Sequence, residues 1–419
     1  MKLLVIGINY APEPVGIGPF TARMAEHFLE SGAEVKVVTA PPSYPEWMIA
    51  NGVANRWHTE NRNGVSLTRC PIYVPANPTG ARRLLHLASF TLSGAFPALA
   101  SALRRRPDVV MCIAPSLMAL PLAWLAARLS GARLWVHIQD FEVEAAVATG
   151  LLSERGLTAR IAAWVERRLL RRADIASTIS AAMCRRLKTK GVDEARIVEF
   201  RNWAEIDAIA PLARPSRYRQ DWSVAPPHVA LYSGNIANKQ GIEIIVEAAA
   251  LLRHRNDLQF IVCGNGSNRA SLEEAAVQAG CRNILFQDLQ PRNALNELLG
   301  LATLHLLPQI AGAADLVLPS KLANMLASGR PVVATADSGT GLADEVTGCG
   351  LVVPPGDARA LADAIEHLLD DDAARQAFGI AARQRAQERW GERMILDRMR
   401  RQVAALVPSR PARARSPIL

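Results

Sequence analysis

The sequence predicts an α/β protein made of two doubly wound parallel-sheet domains. Three observations predict it. Short apolar runs alternate with amphipathic helical patterns through the first 200 residues. A proline-rich stretch then breaks the alternation, and the alternation restarts. A chain of 419 residues also exceeds what one ordinary core holds. Alternating strands and helices imply parallel strands covered on both faces.

The elements follow in order. "KLLVIGI" reads as a first buried strand, "GPFTARMAEHFLESG" as a helix and "AEVKVVTA" as a second strand. "DVVMCIA", "RLWVHIQ" and "DIASTIS" are further strands, with helices between them. These make a first domain over residues 1–201. Residues 202–228 hold four prolines and no clear strand, and read as a linker. In a second domain over 229–372, "HVALYSG", "LQFIVCG", "NILFQ", "LATLHLLP", "PVVAT" and "GLVVPP" are strands. "GIEIIVEAAALLRHR" and "NRASLEEAAVQAG" are helices between the first three. A helical stretch over 373–405 is expected to pack back on the first domain. The basic, proline-containing tail 406–419 is expected to be disordered.

Half the residues are hydrophobic and 21% are charged, which fits a globular enzyme and excludes a disordered chain. The six cysteines are scattered without a CxxC pair, so reduced thiols in a cytoplasmic protein are expected, and no metal site. The apolar run before Gly7 is too short for the core of a signal peptide. Net charge is +9 and uneven: residues 1–200 hold 24 Lys/Arg against 16 Asp/Glu, while the remainder is nearly balanced. A basic half fits an anionic membrane surface or a diphosphate-bearing acceptor. Nucleic acid is not expected, because no recognition motif is present and aromatics are few.

Residues 84–103, "LLHLASFTLSGAFPALASAL", are uncharged and flanked by Arg82–Arg83 and Arg104–Arg106. The length would span a bilayer. Gly94, Pro97 and several small polar residues weaken a span, and a span here would split the first sheet. A buried or membrane-lying helix is expected.

Chemistry concentrates at strand–helix junctions. "GINYAPEPVGIGPFT" places Glu13, Gly16 and Gly18 after the first strand, a loop suited to an acceptor or a phosphate. "LWVHIQDFEVEAA" ends a strand with His137, Gln139 and Asp140, and Asp140 is the candidate catalytic group. Glu142 and Glu144 read as solvated turn residues. "SGNIANKQG" offers Gly234, Asn235 and Lys239, and "CGNGSNR" offers Gly264 and Gly266. "LPSKLANMLASGRPVV" sets Lys321 at the start of a helix, where a lone cation opposes the dipole unless an anion sits between them. These three junctions converge on one sheet edge and suit a diphosphate.

The order "SGN…KQG", "CGNG", "LLP", "PSKLANMLASGRPVVAT" and "GLVVPPGD" resembles the second domain of family-4 glycosyltransferases of GT-B fold. "TAPPSYPEW" and "HIQDFEVEA" sharpen the likeness toward colanic-acid-type exopolysaccharide glycosyltransferases. The resemblance implies two Rossmann-like domains facing a central cleft. It implies a retaining transferase without metal or other cofactor, acting on a nucleotide sugar, with GDP-fucose suggested by the subfamily. The implied acceptor is a polyprenyl-diphosphate-linked glycan, which places the protein peripherally at the cytoplasmic side of the inner membrane. Lys239 and Lys321 would contact the diphosphate, the backbone of Ser320–Leu322 would cap it, and Gly264 and Gly266 would lie beside the nucleotide. Asn324 stands where many members carry a ribose-binding glutamate, and Gln139-Asp140 where many carry His-Asp. Asp140 is therefore the first catalytic candidate and His137 the second. An epimerase of similar build and an inactive binding subunit remain as alternatives.

Overall fold

The structure is a computed structural model. It describes the chain apart from residues 15, 77–79, 115–116, 142–155, 205, 237–239, 267, 312–318, 320 and 408–419. The chain forms two compact units. The first comprises residues 1–179, 184–200 and 396 onward, and the second 180–183 and 201–395.

In the first unit the strands are β1 (Lys2–Gly7), β2 (Glu34–Thr39), β3 (His58–Arg62), β4 (Val65–Arg69), β5 (Val109–Ala114), β6 (Arg133–Ile138), β7 (Ile175–Thr178) and β8 (Ile197–Glu199). They form one sheet in the order β3-β4-β2-β1-β5-β6-β7-β8. Every neighbouring pair is parallel except the β3–β4 hairpin. The central strands are apolar because helices cover both faces, and all six residues of β5 are buried. The helices here are α1 (Ile17–Glu30), α2 (Gly80–Arg105), α3 (Leu120–Ser130), α4 (Leu157–Leu170) and α5 (Ala181–Thr189). Gly131 ends α3 at φ 73°, a left-handed turn that glycine adopts without a Cβ clash.

The hairpin was missed by the periodicity reading, because β3 is polar and lies at the sheet edge. Its turn did carry a signal. Asn63 and Gly64 both take positive φ, 50° and 84°, as a two-residue hairpin turn requires.

Helix α2 is long and apolar enough to cross a membrane by length and composition. It is instead a covering helix of the sheet. Phe90, Ala98 and Ala102 are fully buried, and Gly94 lets the helix sit close to Val38.

The second unit holds α6 (Tyr218–Asp221), β9 (His228–Ser233), α7 (Glu243–Leu251), β10 (Leu258–Cys263), α8 (Arg269–Gln278), β11 (Ile284–Gln287), α9 (Leu295–Leu301), β12 (Leu304–Leu307), α10 (Lys321–Ala327), β13 (Val332–Thr335), α11 (Gly341–Val346), β14 (Gly350–Val353), α12 (Ala358–Asp370) and α13 (Asp372–Trp390). Its sheet is wholly parallel, in the order β11-β10-β9-β12-β13-β14.

The boundaries differ from expectation in two places. The stretch 202–228 is part of the second unit. Ala204 and Ile209 enter one of its cores, and Tyr218 and Val224 another. Residues 373–390 also pack on this unit, where Ala382, Ala386 and Trp390 join the core beneath α10. The Arg383 guanidinium donates to the carbonyls of Ile206, Ile209 and Ala327 and so ties the end of α10 to α13. Only the last helix, α14 (Glu392–Leu406), passes to the first unit, where Asp397 meets His27 at 3.1 Å. The expected disordered tail lies almost entirely outside the described residues.

Candidate active site

In a doubly wound sheet, ligands bind beyond the carboxyl ends of the strands where the strand order reverses. In the second unit that point lies between β9 and β12. The loop after β9 opens with Gly234, and the segment after β12 leads to Lys321. The two meet: a Cβ added to Gly234 would stand 3.5 Å from Lys321 Nζ.

Lys321 lies over the ring of Tyr232 on β9, with Nζ 4.0 Å from the ring centroid. The Tyr232 hydroxyl is 2.6 Å from the Asn235 carbonyl and 2.7 Å from the Gln240 amide oxygen, which fixes the ring as a platform. Burial pulls the Lys321 pKa down to about 8. Among the described residues no carboxylate pairs with it. A desolvated ammonium without an anion is unfavourable, so this position suits an anionic ligand.

Glycines allow the neighbouring loops to interlock. A Cβ on Gly264 would fall 1.8 Å from the Gly234 carbonyl oxygen, and one on Gly266 2.1 Å from that of Ile236. The backbones pair instead, with Gly234 N–H donating to Cys263 O and Ile236 N–H to Asn265 O, both at 2.9 Å. Arg269 braces this loop by donating to the Gly264 carbonyl at 3.0 Å.

Gly234, Asn235, Gly264, Gly266 and Lys321 therefore do come together. Asn235 is exposed, and half-buried Asn324 lies one turn along α10 on the same side as Lys321. Leu322 departs from expectation. Its side chain is fully buried in the core, and its N–H already donates to Pro319 O at 3.0 Å. Lys239 and Ser320 lie outside the described residues.

The first unit presents a different edge, and its strand order reverses between β1 and β5. After β1, Glu13 is buried and acts as a clasp. One carboxylate oxygen accepts the Ser43 and Tyr44 N–H groups at 3.1 and 3.2 Å, and the other accepts Asn9 Nδ2 at 2.9 Å. Burial raises its pKa. A Cβ on Gly18 would lie 2.9 Å from Glu13 Oε2, and one on Gly16 3.0 Å from the Tyr44 ring. Glu13 and Gly16 lie in the loop and Gly18 in the first turn of α1 against it, but a carboxylate occupies the place, which disfavours a phosphate there. Arg69 supports the same edge from below, donating to the carbonyls of Ala40 and Ala11 at 2.8 and 2.6 Å.

At the end of β6, His137 and Gln139 share a face, and His137 is buried. Gln139 Nε2 lies 2.9 Å from His137 Nε2, and His137 Nδ1 lies 2.9 Å from Ser177 Oγ, which also accepts Trp135 Nε1–H. With the Gln139 amide donating, the proton sits on Nδ1 of a neutral ring. Burial holds the His137 pKa at about 3, so the imidazole does not exchange a proton near neutral pH. The geometry makes it a residue that orients Gln139. Asp140 follows at the strand end and reaches solvent. The surrounding protein still desolvates its carboxyl enough to raise the pKa. Glu142 and Glu144 lie outside the described residues.

Sequence reading missed Tyr232, Ser177 and Arg69. Tyr232 sits inside a largely apolar strand and Ser177 inside a short mixed one, with no pattern to mark either. Arg69 did leave a trace, as a lone charge at a core-facing position of the alternating run "VSLTR".

Residues 15–203 match the family model "Glycosyl transferase 4-like domain", and residues 227–371 match "Glycosyl transferases group 1". The putative colanic acid biosynthesis glycosyl transferase WcaI of Escherichia coli K12 is 40% identical over 88% of this chain and 92% of its own. A GDP-mannose-dependent alpha-mannosyltransferase of Mycolicibacterium smegmatis is 26% identical over 91% of this chain and 92% of its own. Among solved structures, sucrose-phosphate synthase from Thermosynechococcus elongatus is similar in fold, with TM-score 0.72 at 18% identity over 97% of this chain and 99% of that one. With two parallel-sheet domains, both family matches and a relative this similar along nearly its whole length, the chain belongs to the family-4 glycosyltransferases of GT-B fold.

Proposed function

We propose that this glycosyltransferase moves a sugar, with retention of configuration, from a nucleoside-diphosphate donor to a lipid-linked exopolysaccharide intermediate of the colanic-acid type. The observation that carries the donor reading is half-buried Lys321 on the Tyr232 platform, without a carboxylate partner among the described residues and facing Gly234 at the strand-order reversal. In the reaction the anomeric carbon–oxygen bond to the diphosphate breaks, and a bond to an acceptor hydroxyl forms on the same face of the sugar. The acceptor proton passes to the departing diphosphate. Lys321 would stabilise the charge that grows on that leaving group. Asp140 would accept a hydrogen bond from a sugar or acceptor hydroxyl and offset positive charge on the ring. No metal or other cofactor is needed in this reading, because the Lys321 ammonium meets the diphosphate.

The polysaccharide class and the nucleotide draw support from the names of the relatives, WcaI and the GDP-mannose-dependent enzyme. GDP-fucose is the donor to try first. The basic first 200 residues support an anionic membrane surface as partner, and with it a peripheral place at the inner membrane. The test is thermal stabilisation of the purified protein by GDP, UDP and their sugars in the presence of EDTA. Stabilisation by a nucleoside diphosphate that Lys321→Ala removes is the expected result. No stabilisation by any of them would overturn the donor reading.

A further inference from the structure

The first unit carries a groove of about 760 Å³ whose lining includes none of the site residues assigned above. It lies between α2 and the β3–β4 edge of the sheet. Lys36, Thr59 and Thr68 line it from the strands, and Ser101, Arg104 and Arg105 from the helix. Lys36 is only 8% exposed, yet its ammonium has no carboxylate partner among the described residues and donates only to Ser66 Oγ at 3.1 Å. Burial, with the Arg105 charge second, brings its pKa down to about 8. Arg104 and Arg105 likewise have no ion-pair partner among the described residues. Three cations converging on a concave surface call for an anion.

The lip of the groove is apolar. Trp57 and Phe96 stand there 60% and 77% exposed, and Trp57 is fixed by donating Nε1–H to the Ser93 carbonyl at 3.0 Å. Phe96 belongs to a row on α2. Leu85, Leu92, Phe96 and Leu103 are each more than half exposed, and their spacing of seven, four and seven residues puts them on one narrow stripe. Alongside, α3 packs against α2 and exposes Leu125 and Leu129. Neither helix contains an acidic residue.

We infer that the groove is a site for the phosphate of an anionic phospholipid, whose chains run along the α2 stripe and seat this unit on a membrane. The inference deepens the proposed membrane partnership and uses nothing from the donor site. The occupant follows from charge and shape. A second copy of the chain would bring like-charged arginines together. A nucleic acid would leave the leucine stripe unpaired. A lipid meets both the cations and the stripe. Insertion stays shallow, because the opposite side of α2 is committed to the sheet through Phe90, Ala98 and Ala102.

The test is co-sedimentation of the full chain with vesicles of phosphatidylcholine, with and without phosphatidylglycerol. Binding to the anionic vesicles is expected. The exposed double change Arg104→Glu/Arg105→Glu should weaken it by about tenfold or more. Leu92→Ser/Phe96→Ser should weaken it comparably, and Lys36→Gln should weaken it only where phosphatidylglycerol is present. Soluble glycerol 3-phosphate should not release the protein. Wild-type protein that ignores anionic vesicles, or double variants that bind like wild type, would overturn the inference. Release by millimolar glycerol 3-phosphate would make the occupant a soluble phosphate and overturn the lipid. Nucleoside-diphosphate release from the donor, measured in parallel, should be unchanged in these variants. Its absence from the wild type would count against the transfer reading and leave the vesicle result standing.

Discussion

The carboxyl edges of the two sheets are built to opposite specifications. In the second unit a half-buried lysine has no carboxylate partner among the described residues, and glycines strip the neighbouring loops to bare backbone. In the first unit the prominent groups are carboxyls and an amide, and several are already engaged: Glu13 by Asn9, Ser43 and Tyr44, and Gln139 by His137. The same doubly wound architecture thus yields one edge deficient in negative charge and one that supplies it. The first arrangement suits a diphosphate. The second suits hydroxyl groups, which donate hydrogen bonds and carry no charge.

This contrast is open to breakage at four points. The largest effect is expected from Asp140→Asn. Turnover should fall on the order of 10²-fold while donor affinity stays nearly constant, measured as kcat against the calorimetric Kd. Near-normal turnover would remove Asp140 from the chemistry. Next comes Lys321→Ala, which should weaken nucleoside-diphosphate binding by about 1.5–3 kcal/mol, the range for a charge-assisted contact. Unchanged affinity would erase the charge contrast.

The third expectation concerns pH. With its pKa lowered to about 8, Lys321 is charged below that value and neutral above it. Anion affinity should therefore be full near pH 7 and decline as pH rises through about 8, by roughly tenfold on reaching pH 9. Lys321→Ala should flatten that profile, and a profile unchanged by the substitution would assign the proton elsewhere. The smallest effect is expected from His137→Asn. Because the ring is neutral above pH 3 or so, its loss should lower kcat a few-fold through Gln139 and leave the pH–rate limbs where they were. A displaced limb would restore His137 as a proton carrier.

Much of this was legible in the sequence, and the reasons for the rest are physical. Strands such as "DVVMCIA" announce themselves because both faces are buried. The glycines and Lys321 stood out because each is a poor choice for ordinary structure at its position. The polar strand β3 was silent, since an edge strand need not be apolar. The stretch 202–228 looked like a linker because prolines outweighed Ala204, Ile209, Tyr218 and Val224, whose burial depends on partners distant in sequence. An amphipathic pattern such as 373–390 says that one face is covered, but not by which unit. His137 looked catalytic because a histidine at a strand end advertises reactivity, while its burial depends on Ser177 and Phe200, far along the chain.

The staple formed by Arg383 bears on how the donor lysine is held. Three carbonyls, those of Ile206, Ile209 and Ala327, converge on one guanidinium at the rear of a helix only two turns long. Lys321 begins that helix, so its backbone is held from behind, by residues that need never meet the ligand. The entropy of fixing the cation is then settled during folding and not at the moment of capture. Sensitivity to substitution should accordingly extend from the ligand pocket back into α13, where a change such as Arg383→Ala would loosen the grip on the nucleotide while altering no atom that touches it.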